Sequence, residues 1–302
     1  MTPMGKYEVI VVGAGHAGVE AALAAARSGR STLMLTMDRS SVGRMSCNPA
    51  IGGIGKGHLV REIDALGGEM ARAIDACGIQ FRRLNTRKGP AVQATRAQAD
   101  RQAYADRMLA VVTATPNLTL GEAEVVALEL SGDRIRSVVT SGGSKLTARA
   151  VVVTTGTFLR GLMHFGDRRV DGGRAGEPSS GGLSAALENL GLELGRMKTG
   201  TCPRLDSRSI DYRRLEEQRG DEPAPLFSFD GKRPLLDQRP CHITYTNSTT
   251  HSVIRDNIKL SAIYNGDIVS RGPRYCPSIE DKVVKFADRD QHRIFLEPEG
   301  LR

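Results

Sequence analysis

The apolar stretch Tyr7–Val12 runs directly into Gly13-Ala14-Gly15-His16-Ala17-Gly18, and an alanine-rich segment follows to about Arg27, where Gly29 stops it. A strand, three spaced glycines and a helix in that order leave few folds open. Gly13 permits a tight turn, Gly15 lets a pyrophosphate approach the backbone, and Gly18 lets helix and strand pack closely. The helix N-terminus then faces the negative charge. Ser31–Thr36 supplies a second strand, which completes a βαβ unit of dinucleotide-binding size. Asp38, just past that strand, is the residue expected to reach a ribose hydroxyl. The expected fold class is α/β: a Rossmann-like dinucleotide-binding domain with a parallel sheet flanked by helices.

Further along, His58–Leu66 and Glu69–Ala76 read as helices closed by glycines, and Ala97–Thr113 has helical spacing. Leu118–Leu130 and Ile135–Thr140 read as strands joined by a hairpin at Gly132-Asp133. The β-branched run Arg149–Thr155, ending at Gly156, reads as a central parallel strand. It is also the kind of strand that returns beside a flavin's adenosine half, so FAD and NAD both remain open at this point. Leu183–Leu190 is the next helix. Composition shifts after Leu205, and residues 200–269 read as an inserted smaller α+β subdomain. Residues 1–199 are then the first part of the dinucleotide domain, and residues 270–302 the return to it.

The chain carries 42 Lys and Arg against 34 Asp and Glu, a net charge of +8. A polyanion such as RNA suits that surplus, and Arg82, Arg83, Arg87, Lys88, Arg96 and Arg101 are dense enough to track a phosphate backbone. With no Trp, six Tyr and seven Phe, the chain is a poor single-strand stacking platform. Five widely spaced cysteines without a CxxC argue against a disulfide framework or a zinc knuckle, and fit a reducing, cytoplasmic compartment. Too few residues precede Tyr7 for a signal peptide, and no apolar run approaches a membrane span.

Two of the five cysteines stand just ahead of prolines, in Met45-Ser46-Cys47-Asn48-Pro49 and Arg274-Tyr275-Cys276-Pro277-Ser278. A cysteine just before a helix start is acidified by unpaired N–H groups and the helix dipole. Pro277 suits a first helical turn, and Glu280 and Asp281 would temper the effect at Cys276. Cys77 reads as a core filler. Cys241 beside His242 has the makings of a nucleophile and base, and Cys202 lies in a loop.

These phrases, with Gly89-Pro90-Ala91-Val92, Gly173-Arg174-Ala175-Gly176-Glu177-Pro178, Lys198-Thr199-Gly200-Thr201 and Gly272–Glu280, closely resemble the MnmG/GidA family. These are FAD-dependent enzymes that modify the wobble uridine of certain tRNAs. The likeness runs through essentially the whole chain, at about half the family's length. Cys202 stands where the family's Thr-Gly-Thr-Pro-Pro-Arg phrase usually has a proline. The resemblance implies FAD as cofactor, NADH as reductant and methylenetetrahydrofolate as one-carbon donor. It implies a homodimer, and a GTPase partner, MnmE, docked by a C-terminal domain outside this chain. The product is an aminomethyl or carboxymethylaminomethyl group at C5 of uridine 34.

Carried over by position, the FAD contacts fall on Gly13, Ala14, Gly15, His16, Ala17, Gly18, Val125 and Ser180. The nicotinamide segment covers Gly272, Pro273, Arg274, Tyr275, Cys276, Pro277, Ser278, Ile279, Glu280, Asp281, Lys282, Val283, Val284, Lys285 and Phe286. The family's two cysteines fall on Cys47 and Cys276. Uracil C5 is a weak nucleophile, and a thiolate adding at C6 makes C5 reactive towards a one-carbon electrophile. One cysteine is then the C6 nucleophile and the other the acid or base for the C5 proton. Three other readings use the same text: a folate- and FAD-dependent tRNA uridine methyltransferase, a small-molecule flavin oxidoreductase, and a non-catalytic RNA-binding or assembly fragment.

Overall fold

The computed structural model describes residues 6–231, 234, 236–268 and 277–301. In chain order the elements are β1 (Lys6–Val12), α1 (His16–Arg27), β2 (Thr32–Thr36), β3 (Ala50–Gly52), α2 (Lys56–Ala65), α3 (Met70–Cys77), β4 (Gly78–Leu84), β5 (Ala94–Ala99), α4 (Arg101–Ala114) and β6 (Leu118–Glu122). Then come β7 (Val125–Ser131), β8 (Arg134–Thr140), β9 (Lys145–Val153), β10 (Leu162–Phe165), β11 (Arg168–Asp171) and α5 (Gly182–Asn189). They are followed by β12 (Glu216–Gln218), β13 (Cys241–Tyr245), α6 (Ser248–Asp256), α7 (Ile279–Lys285) and β14 (Arg293–Leu296).

The main sheet has the order β6-β2-β1-β9-β8-β7. Its first four strands are parallel, and β8 and β7 return antiparallel. Strand alternation divides β1 between two cores. Val11 faces Val19, Leu23, Met34, Tyr104 and Met108 from α1, β2 and α4. Ile10 and Val12 face Leu33, Leu35, Val138, Leu146, Leu183 and Leu187. Burial on both faces is what a continuous apolar run in a parallel strand requires. The order reverses between β1 and β9, so the β1–α1 turn lies at the switch point where such sheets bind ligands.

A second layer is the antiparallel sheet β3-β5-β4. The expected helix over 97–113 splits here. Ala94–Ala99 is a buried strand, and Asp100 caps α4 by accepting from Gln102 and Ala103 N–H at 3.1 and 3.0 Å. Alanine favours helix by propensity, yet this segment is the centre of a sheet, where pairing on both edges outweighs it. The expected strand 118–130 also divides. Ala123 N–H bonds Thr36 and Glu124 accepts from Ser141, so the chain leaves β2 there and begins the meander. Glu20, on α1, serves the distant α3 by accepting from the N–H groups of Glu69 and Met70. The third sheet, β12-β13-β14, pairs Tyr245 with Arg293 and His242 with Leu296, so it joins residues on either side of position 269. Among the described residues no helix is long and apolar enough to cross a membrane.

Candidate flavin and thiol site

Gly13 has φ +105°, and a Cβ on it would lie 2.5 Å from the Thr154 carbonyl oxygen. A Cβ on Gly18 would lie 1.9 Å from the Gly13 carbonyl oxygen. On Gly15 it would meet nothing within 4 Å. Two glycines thus make room for the turn itself, and the third leaves its outer face open. Thr154, at the end of β9, closes the turn: its N–H and Oγ1 both reach the Val12 carbonyl, at 2.8 and 2.9 Å. Ala14 is buried and its carbonyl accepts from Gly43 N–H at 2.9 Å, which ties the turn to the loop that leads to Cys47.

The His16 ring packs edge-on against buried Tyr104, at 5.8 Å between centroids. Burial, reinforced by the positive charge of Arg174, pushes its imidazole below the ordinary histidine range, so it is neutral. Ala17 is exposed on α1. Val125 is buried at the start of β7, which packs on α5. Ser180 is buried just ahead of α5, and its Oγ has no partner among the described residues. Asp38 spends both carboxylate oxygens on Ser40, accepting from its hydroxyl and its N–H at 2.7 Å each. These bonds hold its carboxyl below the usual range.

Cys47 does not precede a helix, contrary to the expectation from Pro49. The next element is β3, and the Pro49 carbonyl accepts from Ala99 N–H at 2.7 Å, which commits the segment to the sheet. Helix-dipole acidification is therefore not available to Cys47. Its thiol donates instead to the Gly200 carbonyl at 3.0 Å. Its own carbonyl accepts from Arg204 at 2.8 Å and from the Cys202 thiol at 3.6 Å. On either side, Ser46 Oγ accepts from Arg174 Nε at 2.9 Å and Asn48 donates to Glu297. Arg174 and Arg44 share the single carboxylate of Glu177, at 2.9 and 3.0 Å, which leaves one net positive charge beside the turn. Arg174 therefore connects the glycine turn, through its field at His16 and Asp38, to the cysteine loop, through Ser46.

Cys276 and the segment Gly272–Cys276 lie outside the described residues. Pro277 does not occupy the first helical turn: Ser278 is the N-cap of α7, and its hydroxyl meets Asp281 at 3.1 Å. That helix ends at Lys285. Val283 is buried, and Asp281 accepts from Tyr264 at 3.0 Å and pairs with Lys285 at 3.3 Å. Glu280 pairs with Lys198 at 3.4 Å, two residues ahead of the carbonyl that holds Cys47.

Cys77 and Cys241 are buried, and burial pushes their thiols up to about 11 and about 12. Cys241 donates to Gln80, while the His242 ring packs at a tilt against Tyr212. Half of the basic run is neutralised: Arg82 pairs with Asp221, Arg96 with Glu297 and Arg101 with Glu299. Arg83, Arg87 and Lys88 are exposed and make no ion pair among the described residues. Sequence reasoning missed the bracing roles of Arg174, Gly200 and Arg204. Their signal was only that they sit in the distinctive phrases around 173–178 and 198–201 and just after the latter.

A parallel sheet with a glycine turn at its switch point defines a dinucleotide-binding α/β protein. Residues 8–302 match the family of Glucose inhibited division protein A, and the chain belongs to that family. It is 59% identical to the tRNA uridine 5-carboxymethylaminomethyl modification enzyme MnmG of Pelobacter propionicus, over 98% of this chain and 47% of that protein. To the protein of that name from Geobacter sulfurreducens it is 56% identical, over 98% of this chain and 47% of that one. The form I crystal structure of Aquifex aeolicus GidA superposes with a TM-score of 0.92 at 52% identity, covering 98% of this chain and 51% of that one. The chain thus spans about half the length of the relatives it matches.

Proposed function

We propose that this chain carries the flavin- and thiol-bearing part of a tRNA wobble-uridine modification enzyme. The enzyme uses FAD, with NADH as reductant and methylenetetrahydrofolate as one-carbon donor, and acts in the cytoplasm as a homodimer with a GTPase partner. The carrying observation is the junction of the open glycine turn with the braced Cys47 loop through Arg174. Three features fit FAD: open space at Gly15, the unpartnered Ser180 Oγ, and the surplus guanidinium of the Arg44–Arg174–Glu177 cluster for a pyrophosphate. Gly13–Gly18 would hold the pyrophosphate and Val125 and Ser180 would border the dinucleotide. When bound, the flavin supplies redox and one-carbon chemistry.

The chain's own residues position the pyrimidine's partner. The Gly200 carbonyl fixes the direction of the Cys47 S–H, and Arg204 anchors the peptide behind it. Cys47 is one of the two thiols that handle uracil C6 and the C5 proton; Cys276 is the other. Convergence of the two is supported by Lys198–Glu280, which ties α7, the helix following Cys276 in sequence, to the segment that receives the Cys47 thiol. Residues 277–286 of α7 and its cap are proposed to line the nicotinamide side. Exposed Arg83, Arg87 and Lys88 would meet RNA phosphates.

The test is nucleoside analysis of tRNA together with the flavin absorbance of the protein. Cys47→Ser is expected to keep the yellow flavin spectrum and lose modification of uridine 34. Full modification by both Cys47→Ser and Cys276→Ser would reject the reading.

A further inference from the structure

Cys47 and Cys202 are interlocked. The Cys47 thiol reaches the carbonyl of Gly200, and the Cys202 thiol reaches the carbonyl of Cys47. Arg204 spans both, donating to the Cys202 carbonyl at 3.0 Å and to the Cys47 carbonyl at 2.8 Å. Cys202 is exposed and Cys47 half-buried, so an oxidant in solvent reaches this pair. The two other described cysteines are buried away from it.

We propose that Cys202 is a resolving thiol that captures oxidised Cys47 as a Cys47–Cys202 disulfide, making the pair a redox modification site for hydroperoxides. It rests on the reading of Cys47 as the reactive thiol. In the first step the Cys47 sulfur attacks a peroxide oxygen; the O–O bond breaks, a sulfenic acid forms and water leaves. In the second the Cys202 sulfur attacks the Cys47 sulfur; the S–OH bond breaks and a second water leaves with the Cys202 proton. Two thiols are oxidised by two electrons, and one hydrogen peroxide is reduced to two waters. A dithiol reductant reverses the change. Each sulfur already reaches a backbone carbonyl, Cys47 that of Gly200 and Cys202 that of Cys47 itself, so the two side chains lie side by side, as a disulfide with its Cα atoms within about 7 Å requires. Capture at the sulfenic stage keeps Cys47 from the irreversible sulfinic acid.

The test treats the purified chain with hydrogen peroxide, blocks remaining thiols by alkylation and maps peptides by mass spectrometry. The expected product is a Cys47–Cys202 cross-linked peptide that disappears on reduction. In Cys202→Ser, sulfinic acid at Cys47 is expected to rise by roughly tenfold. Equal sulfinic acid in both proteins, or a bridge from Cys47 to Cys276 in its place, would overturn the proposal. The readout needs neither flavin nor tRNA. A Cys47–Cys202 bridge in a protein whose Cys47→Ser and Cys276→Ser variants both still modify tRNA would uphold this inference and reject the catalytic reading alone.

Discussion

The glycine turn and the cysteine loop are neighbours held in opposite ways. The turn is held by sterics of the backbone: Gly18 admits α1 against Gly13, and Gly13 fits under Thr154. The loop is held by polar bonds from remote chain. Ser46, Cys47 and Asn48 find partners 128, 153 and 249 residues away. A steric turn exists as soon as its strands pair. A polar loop acquires its geometry only after later segments dock, so the glycine turn is rigid by construction and the cysteine loop is rigid by assembly.

The sharpest break of this contrast is at the turn. Gly18→Ala puts a methyl 1.9 Å from a backbone oxygen that cannot move without dislodging β1. Destabilisation of about 3 kcal/mol or more is expected, with loss of bound flavin, read by thermal melting and absorbance. Gly15→Ala meets no atom and has an ordinary φ of −72°, so the fold should melt within about 0.5 kcal/mol of the parent. Flavin should still be lost, because the methyl would fill the space proposed for the pyrophosphate. A Gly15→Ala protein that binds flavin normally would mean the dinucleotide does not approach that face.

Arg204→Ala probes the other side. Its guanidinium joins Cys47, Cys202 and Glu299, and none of these contacts touches the turn. The half-exposed site limits the stability cost to about 1 kcal/mol. The local effect is larger. Alkylation of Cys47, followed by peptide mass spectrometry, should quicken several-fold while flavin content holds. Unchanged reactivity would show that the loop keeps its shape without this brace.

The same contrast explains what the sequence revealed. The βαβ unit, the turn at Gly13, the close packing at Gly18 and the hairpin at Gly132 were legible because each depends on a few adjacent residues. The β5 strand was not, since an alanine-rich segment becomes a strand only through β3 and β4 on its flanks. Nor was the absence of a helix after Pro49, which follows from a bond to Ala99. Strand β9 shows the limit most plainly. Val152 and Val153 are as apolar as Val11 and Val12, yet each is 37% exposed, because β8 pairs only with residues 145–147 of β9 and leaves the rest of that edge open. Near Cys47, the resemblance supplied the residue, and tertiary bonds supplied its surroundings.

A subtler test reaches the loop from below. Phe227 is fully buried against Gly52, next to the cysteine segment, and its own segment is held by carboxylates. Asp75 accepts from Phe227 and Ser228 N–H at 2.9 and 2.8 Å, and Asp64 accepts from Phe229 N–H at 2.8 Å. Burial raises the Asp75 carboxyl above its usual range, despite the two N–H bonds, and Asp64 adds to the rise while Arg61 opposes it. A carboxyl raised in the folded state binds its proton more tightly there than in the unfolded chain. Its contribution is thus complete below the unfolded value of about 3.9 and is lost as pH climbs through the folded one. Asp75→Asn removes that titration at the constant cost of one N–H bond. Melting curves from about pH 4 to about pH 7 should show the variant less stable at the acid end, with the gap narrowing as pH rises. A gap that widens with pH would mean that the ionised carboxylate is the better partner for those amides, and that the clamp under the cysteine loop is strongest when charged.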